Sequence, residues 1–520
     1  MILDFSSQAH YFWALLPEIV LAVVALAVLL LDVFRRGKGS GGAARWLGWL
    51  AVAGVVAAAI ANAWLLTVDA VGTTGMIALD GFRVATNFVV LGAVGLGLLF
   101  SFDWLEREDL QIGEYHFLVL MAAVGMMLLG GTRDLIVLFV AIELMSISVY
   151  VLTGLNRRDR RSAEAALKYF LIGAFASGFL LYGIALIFGA AGSTNLSLVT
   201  VELARGVAER SPLLYAGVAL LLVGFAFKVS AVPFHMWTPD AYEGAPTPVT
   251  GIMAAGVKAA GFAAILRILT VELAPAMPFW QGIVWWLAML TMIVPNLIAL
   301  AQDDVKRMLA YSSIAHAGYL LVGIAAASAL GRSATLFYLA VYAIMTLGAF
   351  AVLYVVAGKG DARARLSDFR GLGWRRPLLG FALVVFLLSL AGFPPTGGFI
   401  GKVYLLSAAV EARQIALAIT LVLTSLLSYY YYLRVVWKMY FEQAPDGAPL
   451  PATPGVAFRL AAASAVVAIL AAGLFPGHAL RAVGRAGADL RPRTAVVAPD
   501  VPGTPVPATA PVNQDESATP

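Results

Sequence analysis

The 520-residue sequence contains no cysteine, and its five histidines (His10, His116, His235, His316 and His478) are scattered. Iron–sulfur clusters need thiolates, and haem or zinc sites need grouped ligands. The chain therefore lacks the ligands for a redox centre of its own. It has no Walker-type loop and no GxGxxG at a strand-to-helix turn, which leaves nucleotide binding unsupported. Charge is scarce too, at 12% of residues, against about 25% in soluble domains. What fills the space is apolar: 61% of residues are hydrophobic and the mean hydropathy is +0.87. These values describe an integral membrane protein. The formal charge of +5 does not point to nucleic acid, because most basic residues fall between hydrophobic stretches, where they set membrane orientation.

A span needs about 20 mostly apolar residues. That rule predicts an all-α polytopic protein with about fourteen transmembrane helices, near 13–34, 46–68, 84–102, 115–131, 134–154, 166–190, 213–232, 246–271, 280–300, 305–328, 333–358, 377–413, 415–441 and 457–475. The first is a retained span, not a cleaved signal: Asp4 stands where a signal carries Lys or Arg, and the apolar run is too long. Basic residues crowd the loops after spans 1 (Arg35, Arg36, Lys38, Arg45), 5 (Arg157, Arg158, Arg160, Arg161) and 11 (Lys359, Arg363, Arg365, Arg370, Arg375, Arg376). Alternate loops are nearly bare, so odd-numbered loops are expected in the cytoplasm and both termini on the outer, periplasmic side of a bacterial inner membrane. Arg481, Arg485, Arg491 and Arg493 lie on that outer side against the rule. The Pro/Ala-rich end is expected to be a disordered tail.

Two spans are interrupted. The seventh ends in "KVSAVPFHMWTP", and the twelfth contains "LAGFPPTGGFIGKVY". Proline removes a backbone donor and clashes with the preceding turn, so both helices should break. Broken helix is tolerated at membrane depth only when buried in protein or beside water. Each is the fourth helix of a five-helix block, spans 4–8 and 9–13, and an odd number of spans turns the second block upside down. Inverted repeats with discontinuous helices are found in secondary transporters. The expected organisation is 1–114, three N-terminal helices; 115–271 and 280–441, the two repeats; 457–475, a last span; and 476–520, the tail. The two breaks should expose unpaired backbone groups to water and open toward opposite faces.

The apolar runs hold a few charges. Glu143 shares a helix face with Ser146, Tyr150 and Thr153, at i, i+3, i+7 and i+10. Lys228 precedes the first break, Lys258 lies mid-span among small residues, and Lys402 follows the second break. A lysine at the bilayer centre costs about 2.5–3.5 kcal/mol on insertion scales. Snorkelling is an alternative for Lys228, and a hydrogen-bonded helix contact for Glu143, but intramembrane ionisable groups usually mark ion or proton paths. A free lysine titrates at about 10.4, too high to release a proton at neutral pH. Desolvation and a nearby carboxylate act on it in opposite directions, so a Glu143–Lys228 pair that opens and closes could switch the lysine between holding and releasing a proton. His316 is a candidate link between Lys258 and Lys402, with a packing role equally open. For His235, Asp240 and Glu243 at the first break, ordinary loop polarity is favoured over proton entry. Lys306, after Asp303 and Asp304, reads as an interface anchor, and Glu18 has no assigned role.

The segments "DLIVLFVAIELMSISVYVLTG", "EAALKYF", "FKVSAVPFHMWTPDAYEGAPTPVTGIMAAGVKAAGF", "KRMLAYSSIAHAGYLLVG" and "AGFPPTGGFIGKVYLL" resemble the antiporter-like membrane subunits of respiratory complex I. The likeness covers most of residues 13–475. It implies that Glu143 is the fifth-helix carboxylate, Lys228 its partner, Lys258 the central lysine and Lys402 the terminal one. The M-type branch typically has glutamate at that last place. The L-type has further C-terminal helices and a long lateral helix, for which this chain is too short, so the likeness favours the N-type. It implies proton translocation coupled to quinone reduction elsewhere, with NADH, FMN, iron–sulfur clusters and quinone held by other subunits and no cofactor or metal here. The partners implied are the other membrane-arm subunits, including antiporter-like paralogues, and the bilayer. Two alternatives are a subunit of a Mrp-type cation/proton antiporter, and a scaffold whose buried charges move no protons.

Overall fold

A computed structural model describes residues 2–4, 8–37, 45–71, 75–110, 113–206 and 211–490. The Pro/Ala-rich tail, with Arg491 and Arg493, lies outside the described residues. Among the described residues, twelve helices are long and apolar enough to cross a membrane, and two shorter apolar helices end at the breaks. In chain order they are α1 (Leu16–Gly37), α2 (Arg45–Trp64), α3 (Gly81–Arg107), α4 (Gly113–Gly131), α5 (Leu135–Thr153), α6 (Arg160–Ala191) and α7 (Pro212–Lys228). The short α8 (Trp237–Gly244) follows the first break. Then come α9 (Thr247–Glu272), α10 (Met277–Leu300), α11 (Val305–Ala325), α12 (Ala329–Ala357), α13 (Pro377–Ala391), α14 (Gly397–Glu411), α15 (Ile415–Phe441) and α16 (Val456–Leu474). A further helix, α17 (Gly477–Asp489), falls where the sequence suggested mostly disordered tail. The described residues also include two three-residue strands, β1 (Ile2–Asp4) and β2 (Asp69–Val71), which pair in parallel.

The two blocks share a local signature. Asp134 caps α5 by accepting from the amides of Ile136 and Val137, and Asp304 caps α11 by accepting from Arg307. Such caps satisfy amides that the first helical turn leaves free. Each aspartate also forms an isolated antiparallel bridge to the loop after the next helix, Asp134 with Asn195 and Asp304 with Arg365. This fixes the register between the blocks. Nine residues after the caps stand Glu143 and Ser313; twelve after stand Ser146 and His316. Both breaks also carry a cis X–Pro peptide, Val232–Pro233 and Pro394–Pro395.

The contacts define two faces. On the basic face lie the 154–159 loop, the end of α8 and the start of α11: Lys168 meets Asp240, and Arg307 meets Asp240 and Glu243. On the far face, Arg133 joins Glu272 and the Arg83 guanidinium joins Glu18. The first break sits on the basic side, where Gly244 of α8 packs against Arg161 and Ala165 at the start of α6. The second sits toward the far face, where Pro395 and Thr396 meet Gly473 at the end of α16. The breaks therefore lie toward opposite faces, as inversion requires.

Their backbone groups are not left to water as the sequence reading expected. The Phe227 carbonyl accepts from the Trp237 indole at 3.1 Å, and the Val232 amide donates to Thr291 Oγ1 at 2.8 Å. At the second break, Ala391 O accepts from Lys402 Nζ at 2.8 Å, Gly392 O from Tyr429 at 2.9 Å, and the Gly398 amide donates to Ser389 Oγ at 3.1 Å. An unpaired buried backbone group costs about as much as a lost hydrogen bond, and packed side chains supply the missing partners.

Candidate functional site

The polar face of α5 meets three neighbours. Ser177 of α6 donates to Glu143, Lys228 Nζ donates to Ser146 Oγ at 2.7 Å, and Thr153 Oγ1 lies 3.7 Å from Met253 Sδ of α9. Glu143 is half-buried while Lys228 is 4% exposed, which rules out snorkelling for the lysine. Glu143 lies within electrostatic reach of Lys228, yet among the described residues the two form no ion pair. Each is held by its own serine, so the pair inferred from the sequence is open in this structure. A cavity of about 10 Å³, lined by Ser177, Phe227 and Lys228 among others, is near the lower limit for one water.

Lys258 follows a π-helical turn, Met253–Val257, in a helix buried along its whole length. With no lipid-facing side, its ammonium must be satisfied internally. Ser313 does so through its carbonyl and its hydroxyl, the latter at 2.6 Å, and Tyr342 donates to the same hydroxyl at 2.7 Å. Gly261, one turn on, lies against the end of the first broken helix: a Cβ there would come within 3.3 Å of Val229 Cγ1 and 3.7 Å of Lys228 Cγ. The Lys258–Ser313 bonds link the two blocks at α9.

His316 is fixed between two phenols, with Nδ1 2.7 Å from Tyr338 OH and Nε2 3.1 Å from Tyr432 OH; Tyr432 also bonds Ser312. Its ring lies 5.2 Å from that of Tyr342 and 5.3 Å from that of Tyr319. Tyr342 leads to Ser313 and Lys258, while Lys402 Nζ stands 4.9 Å from the Tyr319 ring centroid. His316 is within electrostatic reach of both lysines. The tyrosines were not singled out in the sequence; at positions 338, 342, 431 and 432 they look like ordinary core aromatics until the helices are packed. His235 lies apart from this chain, half-buried in the non-helical 229–236 segment.

Lys306 is not an interface anchor. It is 2% exposed and donates to Ala245 O at 2.7 Å and to Asp361 at 2.8 Å, tying the start of α11 to the end of α8. Glu243 and Asp240 are more than loop polarity, since both hold Arg307. A polar cavity of about 50 Å³ on the basic face is lined by Asp159, Glu243, Asp304, Lys306 and Asp361 among others. There burial, then the nearby Glu243, push the Asp304 carboxyl up against the pull of the Arg307 amide.

The far face carries buried pairs that the sequence did not reveal, because their partners are distant in the chain. Glu18 accepts from Arg83 at 2.8 Å, and Arg267 grips Asp80 with two bonds of 2.8 Å. Burial alone would raise the Asp80 carboxyl, but Arg267, with Arg83 beside it, holds it below the usual carboxylate range.

Comparison with known proteins agrees with this geometry. The family profile described as NADH:quinone oxidoreductase/Mrp antiporter, TM, matches residues 132–428. NADH-quinone oxidoreductase subunit N of Trichlorobacter lovleyi is 48% identical over 83% of this chain and 88% of its own. That of Gemmatimonas aurantiaca is 47% identical over 95% and 97%. Among solved structures, a chain of respiratory complex I from Thermus thermophilus with bound aureothin superposes with a TM-score of 0.74 at 37% identity, covering 90% of this chain and 99% of that one. A chain of the Mrp complex from a Dietzia species gives 0.78 at 25% identity, covering 91% and 97%. The chain belongs to the NADH:quinone oxidoreductase/Mrp antiporter transmembrane family, and within it to the subunit N branch.

Proposed function

We propose that this chain is a proton-translocating membrane-arm subunit of NADH:quinone oxidoreductase, a translocase whose redox chemistry takes place in other subunits. The observation that carries the reading is the intramembrane series Glu143, Lys228, Lys258, His316 and Lys402, most of it held by serine and tyrosine side chains between breaks on opposite faces. Hydroxyls both donate and accept, so they can pass a proton without leaving a charge behind. When Glu143 closes on Lys228 its charge supports the ammonium; when the pair opens, that support is withdrawn and the proton moves toward Lys258. Proton entry is assigned to the polar cavity of the basic face, which we place in the cytoplasm with both termini across a bacterial inner membrane. Loops 1, 5 and 11 support that orientation. NADH, FMN, iron–sulfur clusters and quinone fall to other subunits, since a chain without cysteine has no thiolates for a cluster.

The Mrp reading shares the fold, but relatives named subunit N match at 47–48% identity and the Mrp chain at 25%. Lys228→Ala tests both the relay and the scaffold alternative. The complex should assemble with its other membrane-arm subunits but pump few protons per NADH oxidised. Normal pumping by a correctly assembled variant would remove Lys228 from the path.

A further inference from the structure

The basic residues of α17 stand on the face where orientation rules expect few. α16 begins on the basic face, where the Gly455 amide donates to Asp103. Its 19 residues reach about 28 Å, close to the roughly 30 Å hydrocarbon thickness. It ends at Leu474 and Phe475, which are 55% and 75% exposed. The next residues turn into α17, which lies across the far-face ends of α3 and α12. Gly487 permits this approach: a Cβ there would come within 2.5 Å of Ser333 Oγ. Arg332 also donates to the Gly487 carbonyl at 3.4 Å. The inner side of α17 is apolar (Ala479, Leu480, Val483, Ala486). Its outer side carries His478, Arg481 and Arg485, all exposed, at i, i+3 and i+7 along one stripe. Among the described residues, no ion pair occupies either arginine. The helix has one acidic residue, Asp489, at its far end against Gly81.

A helix with an apolar inner side and a basic outer stripe, starting where a span leaves the hydrocarbon, sits at the depth of lipid phosphates. We propose that the His478/Arg481/Arg485 stripe, with Leu474 and Phe475 as its apolar footing, binds the phosphodiester headgroup of an anionic phospholipid in the far-face leaflet. Guanidinium groups suit phosphate oxygens because they can donate two parallel hydrogen bonds. Bound lipid offsets the adverse placement of these charges and fixes the C-terminal helix over the ends of α3 and α12.

The test uses the whole complex in nanodiscs of phosphatidylcholine doped with a photoactivatable phosphatidylglycerol. Cross-links should map to residues 474–490. Excess phosphatidylglycerol should compete them away, and phosphatidylcholine should not. Arg481→Gln with Arg485→Gln should lose most of that labelling, and Arg481→Lys with Arg485→Lys, which keeps the charge but not the paired donors, should lose less. Absence of cross-links from 474–490 in the unmodified complex would overturn the proposal, and that result needs no variant to fold. Labelling unchanged by the glutamine pair would also overturn it. So would loss of a neighbouring subunit from the glutamine variant with lipid labelling intact, which would make the stripe a protein contact.

Discussion

The two broken helices use the same backbone device and position their lysines differently. In the first block Lys228 occupies the last turn before the break, and its ammonium crosses to Ser146 on α5; the indole of Trp237 takes the carbonyl at the helix end. In the second block the lysine comes after the break and reaches back, so that Lys402 is itself the donor to Ala391 O. The caps' register adds a second contrast: Glu143 and Ser146 of the first block correspond to Ser313 and His316 of the second. A helix end inside protein needs a donor for its orphan carbonyls. Where tryptophan provides it, the lysine is free to respond to a carboxylate; where lysine provides it, the cation is tied to the backbone and faces a His–Tyr network. On the proposed function, charge switching would fall to the first block and proton relay to the second.

The sharpest test is at the seam. Lys258→Ala removes the titratable group between the blocks and should lower proton pumping by about 10²-fold or more, the usual range for a lost proton-transfer group. Pumping should be followed by dye quenching in proteoliposomes, with assembly checked by subunit composition. Pumping within twofold of normal would mean that protons bypass α9.

Next comes the contrast between the lysines. Lys402→Ala leaves the Ala391 carbonyl unpaired and should cost about 1–3 kcal/mol of local stability, seen as faster amide exchange over 388–402. Lys402→Arg retains a donor and a charge but cannot release a proton. It should therefore recover the exchange protection and not the pumping. Recovery of both would make Lys402 a structural cap alone.

Glu143 tests the switch. Glu143→Gln keeps the shape and the Ser177 contact but loses the charge, and should impair pumping more than Glu143→Asp, which keeps the charge one methylene shorter. Equal pumping by the two variants would reduce Glu143 to a packing residue.

The smallest effect is expected at Trp237. Trp237→Phe removes one hydrogen bond to Phe227 O, worth about 0.5–1.5 kcal/mol, and should raise amide exchange at 225–232 without abolishing pumping. If pumping falls as far as with Lys228→Ala, the tryptophan does more than cap the helix.

Much of this was legible in the chain. The spans expected at 134–154, 246–271 and 415–441 lie within a residue of the observed helices, because lipid demands whole hydrogen-bonded helices of a set length. The breaks follow from proline chemistry, and the buried charges stand out because they are rare in such runs. What the sequence could not indicate is which group each charge touches. Lys306 looked like an anchor because its neighbours in sequence are acidic; its partners, Ala245 O and Asp361, come from other loops. Glu18 had no role until α3 brought Arg83 to it. The hydroxyls of Tyr338, Tyr342 and Tyr432 are indistinguishable from those of core aromatics until packing aims them at His316 and Ser313. Local order along the chain sets where helices start, stop and break. Partners for buried polar groups are chosen across the bundle, where contacts between residues far apart in sequence decide whether a charge is caged, capped or left able to move.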